Sequence, residues 1–387
     1  GRVRDGVDKA EGSSEYEGAD GAGGVFTVIE ERFQTLLEGE ELGASFVAWK
    51  DGKEVVSLHG GWRDRAEAIP WDAKTLAPVW SATKGPMAVT LLMALHRVGM
   101  DSETLVERVW PELKVGEITF GELFSHQGGL AALDDKVSIW DREAVIAALE
   151  KQEPKWKVGE HGYHPRTIGF LADEVVRRID GRSLGEFFSE EIATPNEIDF
   201  WIGLPESEHH RVAELVPARV DKSGKPEAFY EALLTKGSLT RKAFGSPSDL
   251  AGVSEMNLPR SWLAGFSAMG GVGSACGLAK FYDWVLRQDF LGELMEARIN
   301  GMDLIQRIEN EIAFGMMLGQ GPEKKGFGHP GAGGSYGFAD PETGMSYAFV
   351  MNRFEANLYP SEERLELMNS KFLKEYSRCE TADSNDW

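Results

Sequence analysis

Two cysteines, Cys276 and Cys379, are all the thiol this chain has, too few for a disulfide framework, and both read as reduced bystanders. Positive charge is also short. Lys and Arg number 41 against 63 Asp and Glu, a net charge of −22. Covering a phosphate backbone or an anionic lipid surface takes clustered Lys and Arg, so no nucleic-acid or membrane partner is expected. No apolar run approaches the ~18–20 residues that a membrane-spanning helix needs. Eight histidines do not make a zinc site, because His161/His164 and His209/His210 lack an i,i+4 helical spacing and neighbouring cysteines. A P-loop and a dinucleotide fingerprint are missing too, and with them any reason to expect a metal or a cofactor.

What remains is an ordinary soluble composition. With 387 residues, 42% hydrophobic and 27% charged, the chain can bury one large core or two interlocked ones. Residues 1–23 stand apart as a Gly-rich, acidic stretch almost without large apolar side chains, and read as a disordered tail. The chain opens on Gly1 rather than Met, which leaves a removed leader open; a cytoplasmic location is the expectation. Oligomeric state is not legible.

Val25 to Leu37 carries apolar residues at helical spacing. Two β-rich runs follow, Ser45–Lys50 and Lys53–Leu58, and Asp51-Gly52 between them is the signal for a tight type I′ hairpin. The middle is mostly helical: Met87–Val98 closed by Gly99, Ala144–Leu149, and Thr167–Ile179 ending at Asp180-Gly181. Thr119 and Glu122 form a capping-box pair. Residues 203–262 are polar and irregular, a surface excursion able to cover a pocket. Strand runs return at Ile312–Leu318, Phe327–His329, Tyr336–Ala339 and Met345–Met351, and an amphipathic helix spans Ser361–Tyr376. Sheet pieces at both ends around a helical middle imply a discontinuous α/β domain with a helical insertion.

Ser81-Ala82-Thr83-Lys84 is the one place where a serine precedes a lysine by three residues. One helical turn puts both on the same side, where a neutral amine can take the hydroxyl proton as the oxygen attacks a carbonyl. Free lysine titrates near ~10.4, so a neutral amine near pH 7 needs roughly 4 kcal/mol of differential solvation. Pro86 gives no N–H, so Ser81–Lys84 is expected to be its own turn leading into the next helix. Tyr163, in the loop before Thr167, offers a phenol that could relay the serine proton and orient water. His329-Pro330-Gly331-Ala332-Gly333-Gly334 is a glycine-rich strand edge that lets a carbonyl approach backbone N–H donors. His126, in Ser125-His126-Gln127-Gly128-Gly129-Leu130, reads as a structural hydrogen-bonder. Two G-x-S-x-G matches centre on Ser183 and Ser335; neither sits between a strand and a helix, so neither is taken as a nucleophile.

Taken in order, Trp80–Gly85, Ile118–Leu130, Gly159–Gly169, Ala268–Ser274 and Phe327–Gly331 through Asp340-Pro341 resemble the serine β-lactamase/penicillin-binding family. The likeness is to the class C β-lactamases and above all to the family VIII carboxylesterases built on that fold, over about residues 45–355. It implies an α/β fold of the β-lactamase/DD-peptidase type, an antiparallel sheet flanked by helices. Residues 24–78 and 268–387 would form the sheet domain and 79–267 an inserted, mainly helical domain, with the active site at the interface. Ser81 then matches the acylated serine, Lys84 its lysine, and Tyr163 the tyrosine that opens the family's Y-x-N element. His329-Pro330-Gly331 stands at the K-T-G strand. The backbone N–H groups of Ser81 and Ala332 would form the oxyanion hole, and His329, Gly331 and Gly333 would touch substrate.

Two departures carry meaning. Pro165 stands where lactamases carry Asn and His329 where they carry Lys, the residues that hold a drug's amide and carboxylate in that family. Family VIII esterases also replace that lysine, so a neutral small-molecule ester is the expected substrate, hydrolysed through acyl-Ser81 with weak β-lactamase activity open. A β-lactamase or D-amino-acid peptidase is the nearer alternative; a non-enzymatic scaffold or ligand-binding protein on the same fold is the more distant one.

Overall fold

The computed structural model describes residues 22–217, 227–250, 252–355, 358–369 and 373–376. The stretch read as a tail lies outside them except for residues 22 and 23, which already belong to the first helix, α1 (Ala22–Gly39). Cys379 also lies outside them.

Alternation of side chains builds the sheet. In β1 (Gly43–Lys50), Ala44, Phe46 and Ala48 enter one apolar cluster and Val47 the other, so both faces of the strand are covered. The chain turns through Asp51 (φ 50°) and Gly52 (φ 79°) into β2 (Lys53–Gly61), as the Asp-Gly pair predicts. The other strands come from the far end: β3 (Ile299–Met302), β4 (Glu309–Ile312), β5 (Met317–Gln320), β6 (Gly326–Pro330), β7 (Tyr336–Asp340) and β8 (Met345–Met351). They form one sheet in the order β2-β1-β8-β7-β6-β5-β4-β3, with Phe46 opposite Phe349 where the two ends of the chain meet. Every pairing in it is antiparallel.

The apolar run 312–318 is not one strand. Gly315 takes φ 65° and the Ala313 N–H donates to the Met316 carbonyl at 2.9 Å, so the run folds back on itself between β4 and β5. An apolar run alone does not show where a chain bends; a positive φ that glycine adopts without cost decides it.

Helix α2 (Lys84–Arg97) is buried from Lys84 through Leu92. A helix apolar on nearly every side must sit in the middle of its layer, and α2 packs there against α4 (Thr167–Asp180), beyond α3 (Arg142–Lys151) in the chain. This places Lys84, the first residue of α2, in a low-dielectric interior. The capping box at Thr119 and Glu122 forms with bonds of 3.1 and 2.9 Å. Helix α5 (Ala275–Val285) covers one face of the sheet through Leu278, Ala279 and Tyr282, while α1 covers the other through Ile29, Phe33 and Leu36. A short three-stranded sheet joins Ala77–Pro78, Gly271–Gly273 and Phe200–Ile202, strands too brief to read from sequence.

Within 203–262 the described residues form short helices, among them Glu227–Leu234 and Leu239–Phe244. Phe244 packs on Phe229 (5.4 Å) and on the Tyr163 ring (6.3 Å), so this excursion covers part of the region that carries Tyr163. Of the helix expected over 361–376, Glu362–Glu366 is formed and 373–376 is helical, while 370–372 fall outside the described residues. Among the described residues no helix is long and apolar enough to cross a membrane. Dividing the chain at 78/79 and 267/268 leaves the eight-stranded sheet wholly outside 79–267, although the three-stranded sheet bridges both cuts, and we keep the division as a proposal.

Candidate active site

Trp80–Thr83 forms a single tight turn that hands over to α2 at Lys84. Trp80 itself has φ 49°, a left-handed conformation that costs a bulky residue about 1–2 kcal/mol. The Trp80 ring lies on Phe354 (5.2 Å), and its carbonyl accepts from the Thr83 hydroxyl at 2.5 Å. That strain sets Ser81 at the mouth of the turn, half-buried, with its side chain facing the lysine one turn on.

Lys84 is buried and has three neighbours at hydrogen-bond range. Its Nζ lies 2.9 Å from the Pro165 carbonyl, 3.0 Å from the Ala268 carbonyl and 3.3 Å from Ser81 Oγ. Carbonyl oxygens only accept, so both must receive N–H bonds from the amine. A neutral amine has two N–H bonds and one lone pair, which leaves the lone pair for the Ser81 hydroxyl. Burial pulls the lysine well below its ordinary pKa and favours this neutral form.

Tyr163 completes the group. Its ring faces Lys84 Nζ at 4.7 Å, and its phenol hydrogen-bonds the Ser81 side chain. Burial raises the phenol above its ordinary value, with the Ser81 contact opposing this only in part, so the phenol keeps its proton. Its position depends on a residue that sequence reasoning missed. Asp303, fully buried, accepts the Tyr163 N–H at 3.0 Å and the N–H groups of Ile305 (2.8 Å) and Gln306 (2.7 Å). Burial raises this carboxyl's pKa. Nothing in the sequence ties Asp303 to a residue 140 positions earlier; only the return of the chain beside the loop does so.

The glycine-rich edge after β6 lies against the Trp80–Thr83 turn. A Cβ on Gly331 would stand 2.2 Å from the Val79 carbonyl, which also accepts from Ser335 Oγ at 2.9 Å. Ser335 is therefore a buried brace for the turn. Ser183 caps a helix, bonded to Glu186, and lies apart from this group. The 331–334 turn is held from beneath by Arg364, also missed, whose Nη1 donates to the Gly333 carbonyl at 2.8 Å. Its Nε donates to Glu41 at 2.5 Å. Both partners are fully buried, and desolvation raises Glu41 to about 6 in spite of the arginine.

Three imidazoles surround the amine. His329 stacks on Tyr163 at 5.8 Å, and its Nδ1 donates to the Pro330 carbonyl at 2.7 Å. His164 Nδ1 donates to the Gly162 carbonyl at 2.7 Å, and its Nε2 accepts from the Leu130 N–H at 3.0 Å. His126, at φ 68°, accepts from the His164 N–H at 3.1 Å, in keeping with the structural part expected of it. Burial holds His329 and His164 at about 3 and His126 well below its usual value, and the nearby lysine adds to each shift. Among the described residues no carboxylate pairs with this cluster, so only uncharged rings and amine avoid stacking buried positive charge. The arrangement can hold a hydroxyl, a proton acceptor and a proton donor at one point.

The chain matches the family model described as Beta-lactamase over residues 29–367. It is 29% identical to the esterase/beta-lactamase LipL of Mycobacterium tuberculosis (strain ATCC 25618 / H37Rv) over 384 residues, covering 91% of this chain and 88% of that protein. Among solved structures it is similar to a penicillin-binding protein homologue from Caulobacter crescentus (31% identity, TM-score 0.78) and to a family VIII carboxylesterase (30%, TM-score 0.79). Each likeness covers 90% of this chain and 97% of the other.

Proposed function

Because the chain belongs to the Beta-lactamase family, whose esterase/β-lactamase-like serine hydrolase fold it shares, we propose that it cleaves small carboxylic esters through a covalent acyl-Ser81 intermediate. The observation that carries the reading is the Lys84 amine seated on two carbonyls with its third direction on Ser81 Oγ. In acylation the Ser81 O–H bond breaks, its proton passes to Lys84, and Oγ bonds the ester carbon. The oxyanion so formed sits on the Ser81 and Ala332 N–H groups, where one donor is worth ~3 kcal/mol. As the carbonyl reforms, the alcohol leaves with the proton held on Lys84. Water then attacks the acyl-enzyme, giving its proton to Lys84 while the Tyr163 phenol orients it; Ser81 recovers a proton and the acid departs.

Ester rather than lactam is favoured by what lies at positions 165 and 329. Pro165 offers its carbonyl to Lys84 and no polar side chain to a substrate. His329 is a buried neutral ring beneath Tyr163 and supplies no cation for a drug carboxylate. His329, Gly331 and Gly333 remain our proposed substrate-side residues through the edge that they form. The test compares a short-chain p-nitrophenyl ester with nitrocefin, alongside labelling by a fluorophosphonate. Ester turnover should dominate, and Ser81→Ala should lose the label while Ser183→Ala and Ser335→Ala keep it. Dominant lactam turnover, or a labelled Ser81→Ala protein, would overturn the reading.

A further inference from the structure

A cavity of about 610 Å³ lies away from the candidate active site; Ser81, Lys84 and Tyr163 are not among its lining residues. It is bounded by α4, the start of α3 and the 263–269 segment. Such a volume is in the range that encloses small ligands. Its wall carries an aromatic row centred on Phe266, which lies 5.1 Å from Trp140 and 6.3 Å from Phe170.

One charge on that wall has no partner of opposite sign among the described residues. The Arg166 guanidinium donates to the Pro247 carbonyl at 2.6 Å and to the Leu250 carbonyl at 3.4 Å, which leaves N–H donors unspent out of five. Among the described residues no carboxylate reaches ion-pair distance of it. The other charges of the lining are engaged with one another or with neighbours. Asp173 binds both Arg142 (3.0 Å) and Arg177 (2.8 Å), Glu186 closes the Ser183 cap (2.7 Å), and Glu190 meets Arg182 (2.6 Å). Burial without a counter-charge pulls the arginine down to about 10. Taking a guanidinium out of water is costly unless a carboxylate or similar anion replaces the lost hydration.

We propose that this cavity binds a small organic carboxylate with an aromatic or branched apolar body, its carboxylate on Arg166 and its body against Trp140 and Phe266. A planar fork with spare donors matches a carboxylate in two-point fashion, and apolar rings on the same wall take the body. The assignment does not depend on the ester reading. It does touch the same machinery, because Ala268 lines the cavity while its carbonyl holds Lys84, and Arg166 directly follows Pro165, the other carbonyl of that seat.

Isothermal titration of the full chain with phenylacetate and with phenylacetamide tests it. Phenylacetate should bind the wild type and Ser81→Ala with equal affinity. Arg166→Gln should weaken it at least tenfold, and the uncharged amide should bind the wild type at least tenfold more weakly. Leu263→Trp, at an exposed lining position, should also weaken binding by crowding the cavity while leaving the buried wall intact, which guards against a misfolded Arg166 variant. Equal phenylacetate affinity across wild type, Arg166→Gln and Leu263→Trp would overturn the assignment. So would loss of binding after a covalent probe occupies Ser81, or no binding of phenylacetate to the wild type at millimolar concentration.

Discussion

Replacing Lys84 with Met tests the neutral-amine premise through stability rather than turnover. In the unfolded chain this lysine holds its proton up to its ordinary value of 10.5; in the folded protein burial drives it well below that. Between those limits the unfolded state binds one more proton than the folded state, so stability rises with pH. The slope from a single such group is about 1.4 kcal/mol per pH unit, or about 2.7 kcal/mol between pH 7 and pH 9 when the folded amine is neutral throughout. Lys84→Met removes that proton. It also orphans the Pro165 and Ala268 carbonyls, at roughly 1–3 kcal/mol each, but this loss does not change with pH. Urea unfolding of both proteins at pH 7, 8 and 9 separates the two effects. The wild type should gain on the variant by more than about 2 kcal/mol across the range. A difference that stays flat would mean that the lysine keeps its proton when folded, and Lys84 could then not act as the base.

The same lowered pKa gives activity a direction: kcat/KM for a neutral ester should fall as pH drops and Lys84 gains its proton, a limb that a pH–rate profile reads directly. Tyr163→Phe should cut kcat by about 10²–10³ and let acyl-enzyme accumulate, seen as an ester-sized mass increase on the intact protein; a kcat drop with no accumulation would remove Tyr163 from the water step. Arg364→Met breaks a fully buried pair and leaves Glu41 without its cation, so stability should fall by about 3–5 kcal/mol in chemical denaturation. Because Arg364 also holds the Gly333 carbonyl, kcat should drop in the folded variant with KM little changed; unaltered kcat would show that the 331–334 turn keeps its shape without it.

Much of the frame was legible early because it rests on local rules. Asp51-Gly52 dictates its hairpin through two positive φ angles, and Thr119 with Glu122 satisfies its own helix end. The 345–351 strand follows from a short, nearly continuous apolar run behind a Pro-Glu-Thr-Gly turn, and the 167–180 helix from the helical spacing of its apolar residues. The bend at Gly315 failed to show because apolar residues flank it on both sides. The three-stranded sheet failed because strands of two or three residues carry no periodicity.

The site divides in the same way. Sequence alone determined the Ser81–Lys84 pairing, since residues three apart share a face of one turn whatever the rest of the chain does; it offered Tyr163 and the 329–334 edge as candidates, and likeness to a family gave them their places beside Ser81. Tertiary structure decided the chemistry. Whether the lysine is a base depends on its burial and on carbonyls from residues 165 and 268. Asp303 holds the backbone of the residue whose phenol meets Ser81, and Arg364 holds the Gly333 carbonyl in the proposed oxyanion edge. A proton affinity is set by whatever surrounds the group, and those surroundings are assembled from distant segments that no local pattern links.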